Sequence, residues 1–233
     1  MISSLLKAIS EKDWSYNDSP HHWTQVYDPS FLATWSEVEY CLNNPQFYNI
    51  QFVNRDTNVY IDLPKYERCW SMPSQDVREV VDTFNQGHTC IINNFEWVNR
   101  DKQEICRSIE ELFPDIRASL HIYCGIEPGK SFKIHEDYAN YLICQVEGET
   151  HWTIYNNRAS NIVGQKDFTE GIDQSKMDVA IDVILKPGDI LYIPARCYHQ
   201  ARPTEKRLSV SIPMQHMLPH LKKVDRNYYA ITS

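Results

Sequence analysis

His135-Glu136-Asp137, with His199 sixty-two positions beyond Asp137, constrains this chain more than any other feature of it. In an extended strand alternate side chains share a face, so His135 and Asp137 point one way and Glu136 the other. One ion bridges such a pair. Two imidazoles and one carboxylate, with no fourth protein ligand evident, make the facial triad that holds a divalent iron and leaves coordination sites open. His199 must then come back over the pair, so antiparallel strands have to wrap round between them. The expected fold is therefore a jelly-roll barrel, mainly β with flanking helices.

The intervening chain is patterned for this. Tyr138 to Val146 is an apolar and aromatic run closed by Glu147-Gly148-Glu149, a strand and its turn, and Thr150 to Tyr155 reads as the next strand. Val179 to Leu185 is apolar and β-branched, Lys186-Pro187-Gly188-Asp189 is a tight turn, and Ile190 to Ile193 is a strand stopped by Pro194. A lone His-x-Asp is more often a surface coincidence than a metal pair. The Pro-Gly turn, the strand end at Pro194 and a histidine five residues later give it weight.

Upstream, helices are predicted over Ile2 to Ile9, over Phe31 to Cys41 with Asn43-Asn44-Pro45 as the stop, from a Ser74 cap to Phe84, and over Asn99 to Phe113. A hairpin between Phe47 and Leu63 turns near Asn54-Arg55-Asp56, and His88 to Ile92 reads as a strand. His21-His22 has no carboxylate or cysteine at ligand spacing and reads as surface or packing. Asn156 to Met177 is polar and lies between core strands, where a segment this long is expected to be a lid over the site.

Composition narrows the function classes. A net charge of −8 argues against a phosphate-backbone grip, so no nucleic acid is expected, and a basic or neutral substrate is favoured. Lys222, Lys223 and Arg226 make only a small cluster, read as a solvated tail. Seven cysteines without a C-x-x-C pair, and no apolar leader after Met1, point to reduced thiols in a cytoplasmic protein. No apolar run has transmembrane length, so no membrane is expected. Oligomeric state is left open.

Taken together, His135-Glu-Asp137, Gln145-Val-Glu-Gly148-Glu-Thr-His-Trp152, and Pro187-Gly-Asp-Ile-Leu-Tyr-Ile-Pro194 with Arg196 and His199 resemble the JmjC-type, cupin-like oxygenases that use iron(II), 2-oxoglutarate and O2. The layout is most similar to the ribosomal-oxygenase branch, which hydroxylates protein side chains. The resemblance implies a double-stranded β-helix over residues 118–213, an elaboration over 1–117 packed on it, and a C-terminal helix or tail over 214–233, all in one structural domain. It further implies iron on His135, Asp137 and His199, and hydroxylation of an unactivated C–H bond in a peptide or protein side chain, coupled to decarboxylation of 2-oxoglutarate.

The chain departs from that pattern at one position. Much of the family carries a lysine or arginine thirteen positions after the metal-binding aspartate, where it pairs with the far carboxylate of 2-oxoglutarate; here Thr150 stands there. A dicarboxylate needs a cation. Arg207-Leu208-Ser209 is the candidate, because i and i+2 in a strand share a face. A turn near Arg202 to Lys206 is expected to fold the flanks into an antiparallel pair, with His199 roughly opposite Ser209. Lys133 is the reserve cation, and Tyr123 and Tyr141 are candidate ligand contacts by strand parity. A hydroxylase of a free amino acid or small metabolite, and a non-catalytic cupin-like binding protein, are the alternatives.

Overall fold

The computed structural model describes residues 2–12, 19–68, 71–129, 131–159 and 174–216. Among these residues the four α-helices are α1 (Ile2–Ser10), α2 (Trp35–Leu42), α3 (Val77–Asn85) and α4 (Arg100–Leu112). The strands in chain order are β1 (His21–Trp23), β2 (Asn49–Val53), β3 (Tyr60–Ile61), β4 (Tyr66–Arg68), β5 (Ser71–Ser74), β6 (Thr89–Asn93) and β7 (Ile116–Ala118). They continue with β8 (His121–Gly125), β9 (Asn140–Glu147), β10 (Thr150–Arg158), β11 (Val179–Leu185), β12 (Ile190–Ile193), β13 (Cys197–Pro203) and β14 (Arg207–His216).

Capping chemistry moves two helix starts from where apolar spacing alone puts them. Pro29–Phe31 forms a single 3-10 turn, and α2 begins at Trp35 because Thr34 and Glu37 cap it reciprocally: Glu37 N–H donates to Thr34 Oγ1 at 3.3 Å, and Thr34 N–H to Glu37 Oε2 at 2.9 Å. The cap of α3 is Asp76, whose carboxylate accepts from Arg78 N–H at 2.9 Å, whereas Ser74 ends β5. The carboxylate also favours the positive end of the helix.

The large sheet runs β1-β12-β9-β14-β8-β6-β2-β3, with β7 also paired to β14; the small sheet is β11-β10-β13, and β4 and β5 form a separate ribbon. All of these pairings are antiparallel. Strand parity explains the layers. Leu142, Cys144, Leu208, Val210 and Ile212 lie on one face and share a core with Leu5, Ile9, Val38, Val80, Ile105 and Ile109 of the four helices. The opposite face brings Ile143, Leu191 and Ile193 against Trp152, Ile154 and Ala201 of the small sheet.

The large sheet is thus covered on both sides, and the polar members of its alternation have nowhere to go but inward. Arg207, Ser209 and Ser211 on β14 are 1–2 % exposed. A sheet with one wet face would put such residues in water.

The turn at Arg202–Lys206 corrects the expected pairing. β13 pairs with β10 in the small sheet and β14 pairs with β8 and β9 in the large one, so the turn carries the chain across the barrel rather than folding a hairpin. His199 accordingly stands opposite Ile154, and Ser209 opposite Tyr123 and Gln145. β14, apolar on one face and polar on the other, is buried on both only within the large sheet. Beyond Pro213 the strand continues to His216, where a helix or tail was expected, and residues 217–233 lie outside those described. Of the expected lid, β10 takes the first part as far as Arg158, Gln174–Lys176 is one 3-10 turn, and residues 160–173 lie outside the described chain.

Candidate metal centre

The structure brings His135, Asp137 and His199 together, with one potential ligand atom from each within 4.8 Å of the others. Asp137 Oδ2 lies 3.4 Å from His199 Nε2 and 3.8 Å from His135 Nε2, and the imidazole centroids are 4.3 Å apart. The local backbone differs from the continuous strand expected. His135 makes a single antiparallel bridge to His199, with N–H to carbonyl distances of 3.1 and 2.9 Å, and regular pairing resumes only at Asn140. An extended trace is enough to give both side chains the same sense.

Each imidazole is oriented by its own chain. His135 Nδ1 lies 2.9 Å from the Lys133 carbonyl and His199 Nδ1 lies 2.9 Å from the Cys197 carbonyl. A carbonyl only accepts, so both Nδ1 atoms carry hydrogen and both Nε2 lone pairs remain for a metal. Burial, and then His199, push His135 down to about 4, so the ring is neutral at physiological pH. Burial works to raise Asp137, but the imidazoles beside it, His199 foremost, outweigh it and keep the carboxyl ionised. Two imidazoles presenting Nε2 and one carboxylate, with donor atoms within 4.8 Å of one another, suit a divalent cation.

A pocket opens beside the triad. Tyr123, Ser131, Phe132 and Tyr141 line one part, Ile143, Trp152, Ile193 and Ala201 another, and Arg207, Ser209 and Ser211 the rest. Arg207 is its decisive feature. The residue is 1 % exposed, and among the described residues its Nε has no hydrogen-bond partner and Nη2 reaches only Ser131 Oγ at 3.4 Å. Burial brings its pKa down to about 10, with Cys124 and Tyr123 acting the other way, so the guanidinium is still charged at neutral pH. A buried cation without a carboxylate costs several kcal/mol, ~3–5 when a buried pair is broken. The cavity therefore fits an anion that completes it.

The remaining candidates divide clearly. Ser209 donates to Gln145 Oε1 at 2.9 Å, and Ser209, Tyr123 and Tyr141 all line the pocket. Lys133 is exposed and Thr150 is buried with an unpartnered hydroxyl; neither lines the pocket. Ser131, Phe132 and Ser211 were not anticipated. Ser211 shares the parity of Arg207 and Ser209 and was readable on that ground, but Ser131 and Phe132 sit in a segment without periodicity. His22 takes no part: its Nε2 lies 3.2 Å from Asp189 Oδ2.

Comparison with known proteins adds likenesses in sequence and in fold. A family model described as the JmjC domain matches residues 91–220. The chain is 30% identical over 107 residues to a bifunctional lysine-specific demethylase and histidyl-hydroxylase NO66 of Culex quinquefasciatus, a stretch that is 46% of this chain and 16% of that protein. It is 25% identical over 122 residues to ribosomal oxygenase 1 of Danio rerio, covering 52% of this chain and 22% of the relative. The chain thus spans less than a quarter of the length of these curated relatives. Among solved structures, YcfD, a ribosomal oxygenase from Escherichia coli, in complex with cobalt and 2-oxoglutarate, matches with a TM-score of 0.58 at 16% identity, over 91% of this chain and 52% of that one. The same protein with cobalt and succinic acid gives 0.61 at 17% identity, over the same 91% and 52%.

Proposed function

Because more than half of this chain belongs to the JmjC-domain family, we propose that it is an iron(II)- and 2-oxoglutarate-dependent dioxygenase that hydroxylates an unactivated C–H bond in a protein or peptide side chain. The observation that carries the reading is the pairing, in one pocket, of a His-Asp-His triad with a buried guanidinium that has no carboxylate partner among the described residues.

His135, Asp137 and His199 would hold the iron, with their Nε2 and carboxylate oxygens as donors. Arg207 would take the far carboxylate of 2-oxoglutarate, doing from β14 what the missing cation at Thr150 does elsewhere in the family. Ser209, Tyr123 and Tyr141 are the proposed neighbours of the cosubstrate. When bound, the iron, 2-oxoglutarate and O2 supply the oxidising chemistry that inserts one oxygen atom into the substrate. The protein's part is positional. The carbonyls of Lys133 and Cys197 hold the imidazoles in the ligating tautomer, and Ile143, Trp152, Ile193 and Ala201 keep water from the reacting centre. The buried Arg207 also weakens the non-catalytic alternative, which the lack of a cation at Thr150 would otherwise favour.

A side chain in a protein is the favoured substrate, since similar proteins are named histidyl-hydroxylase and ribosomal oxygenase, and the charge of −8 favours a basic or neutral partner. A cytoplasmic setting fits the six described cysteines, all of them buried. Among the described residues no helix is long and apolar enough to cross a membrane.

The test is uncoupled turnover. Protein supplied with iron(II), ascorbate and 2-oxoglutarate should form succinate, and His135→Ala should abolish it; peptides and free amino acids are then screened by mass for the gain of one oxygen. No succinate from the parent, or equal amounts from His135→Ala, rejects the reading.

A further inference from the structure

Between the bridge at His135 and the start of β9 at Asn140 the ligand-bearing segment has no ladder to hold it. The carboxylate of Asp137 contacts His135 and His199, its fellow ligands, and its side chain is 36% exposed. Those contacts do not set its direction independently of a metal. Something else must aim it.

Arg196, in the turn between β12 and β13, meets three consecutive residues of that segment. Its backbone N–H donates to the Asp137 carbonyl at 2.7 Å, its Nη1 lies 3.0 Å from Glu136 Oε1, and its guanidinium sits over the Tyr138 ring at 5.4 Å from the centroid. The Arg196 carbonyl also accepts from Ala159 N–H at 2.9 Å, which ties the turn to the end of β10. The residue has φ of +67°, in the left-handed region that costs a non-glycine residue roughly 1 kcal/mol or more. Surrounding contacts must hold such a conformation in place. The Arg196 and Glu136 side chains are 14% and 4% exposed, and a pair so poorly hydrated gains little net stability for its charges. Its use lies in orientation.

The geometry assigns Glu136 and Arg196 as positioning residues: their ion pair, together with the Arg196 N–H on the Asp137 carbonyl, sets the direction of the Asp137 carboxylate before a metal arrives. The assignment rests on the metal-centre reading above. It also gives the residue between the two ligands a task, since Glu136 turns away from the metal and toward the turn that precedes His199.

Cobalt(II) titration of the metal-free protein, followed by visible absorption without cosubstrate, tests this apart from activity. Glu136→Gln keeps the shape and removes the charge. Arg196→Gly keeps the N–H and suits the left-handed backbone while removing the guanidinium. Each is expected to weaken cobalt binding about 10- to 100-fold, with Arg196→Lys between them and the parent. The double variant should be no weaker than the worse single one, because both break the same contact. Affinities are referred to the folded fraction, measured by near-ultraviolet circular dichroism. Parent-like affinity in either folded variant, or losses that add in the double variant, overturns the assignment. A parent that binds no cobalt overturns the metal centre and this assignment with it, whereas intact parent binding with unaffected variants overturns only the latter.

Discussion

At the scale of single residues, the chemistry rests on groups whose states are set by burial. Arg207 is the sharpest case. It sits opposite Gly125 on β14, fully enclosed, with its Nε unpartnered and a serine hydroxyl at the edge of hydrogen-bond range. Arg207→Met keeps the length and deletes the charge, and it should weaken 2-oxoglutarate binding roughly 10- to 100-fold, the loss of charged hydrogen bonds worth about 1.5–3 kcal/mol. Cobalt affinity should be unchanged, and calorimetry with each ligand separately checks both halves. An equal loss for metal and cosubstrate would mean that the guanidinium supports the fold rather than the anion. That Arg207 and Ser209 share a strand face was legible from their spacing of two. That Lys133 is exposed was not, because its segment carries no pairing from which parity is read.

At the scale of elements, the turns that cross between the sheets decide which strands share a cavity. Gly148, between β9 and β10, has φ of +68°, and a Cβ there would overlap the Lys206 carbonyl oxygen at the start of β14. Two crossings are therefore packed against each other where Arg207 enters the barrel. Gly148→Ala should cost about 1–3 kcal/mol from backbone strain alone, with the overlap added, read as a lower urea midpoint with unchanged slope. A change of slope would instead indicate a less compact ensemble. Strands β9, β10, β11 and β12 were readable from apolar runs and Pro-Gly punctuation. The partner of β13 was not, because a short polar turn serves a hairpin and a crossing equally well. Caps mattered at the same scale: Asp76 and the Thr34–Glu37 pair begin α3 and α2 where local hydrogen bonding is best, inside the limits that periodicity suggested.

For the molecule as a whole, the proposed metal and cosubstrate site is built from both sheets, so loading should stabilise all of the fold. At ligand concentrations about 100-fold above Kd, linkage contributes about 2.7 kcal/mol, or roughly 5–10 °C in melting temperature at this length. Cobalt(II) with 2-oxoglutarate should produce that shift by calorimetry, and His199→Ala should not. The antiparallel barrel and the pairing of His135 with Asp137 followed from the sequence alone, because alternation along an extended chain and a spacing of two are local properties of the polymer. His199 was identified by its surroundings, the Pro-Gly turn and the strand end before it. What folding alone decided is which polar face became interior. The same alternation on β14 would describe a sheet with one side in water, and only helices covering one side and a second sheet covering the other turned Arg207, Ser209 and Ser211 into the lining of a pocket.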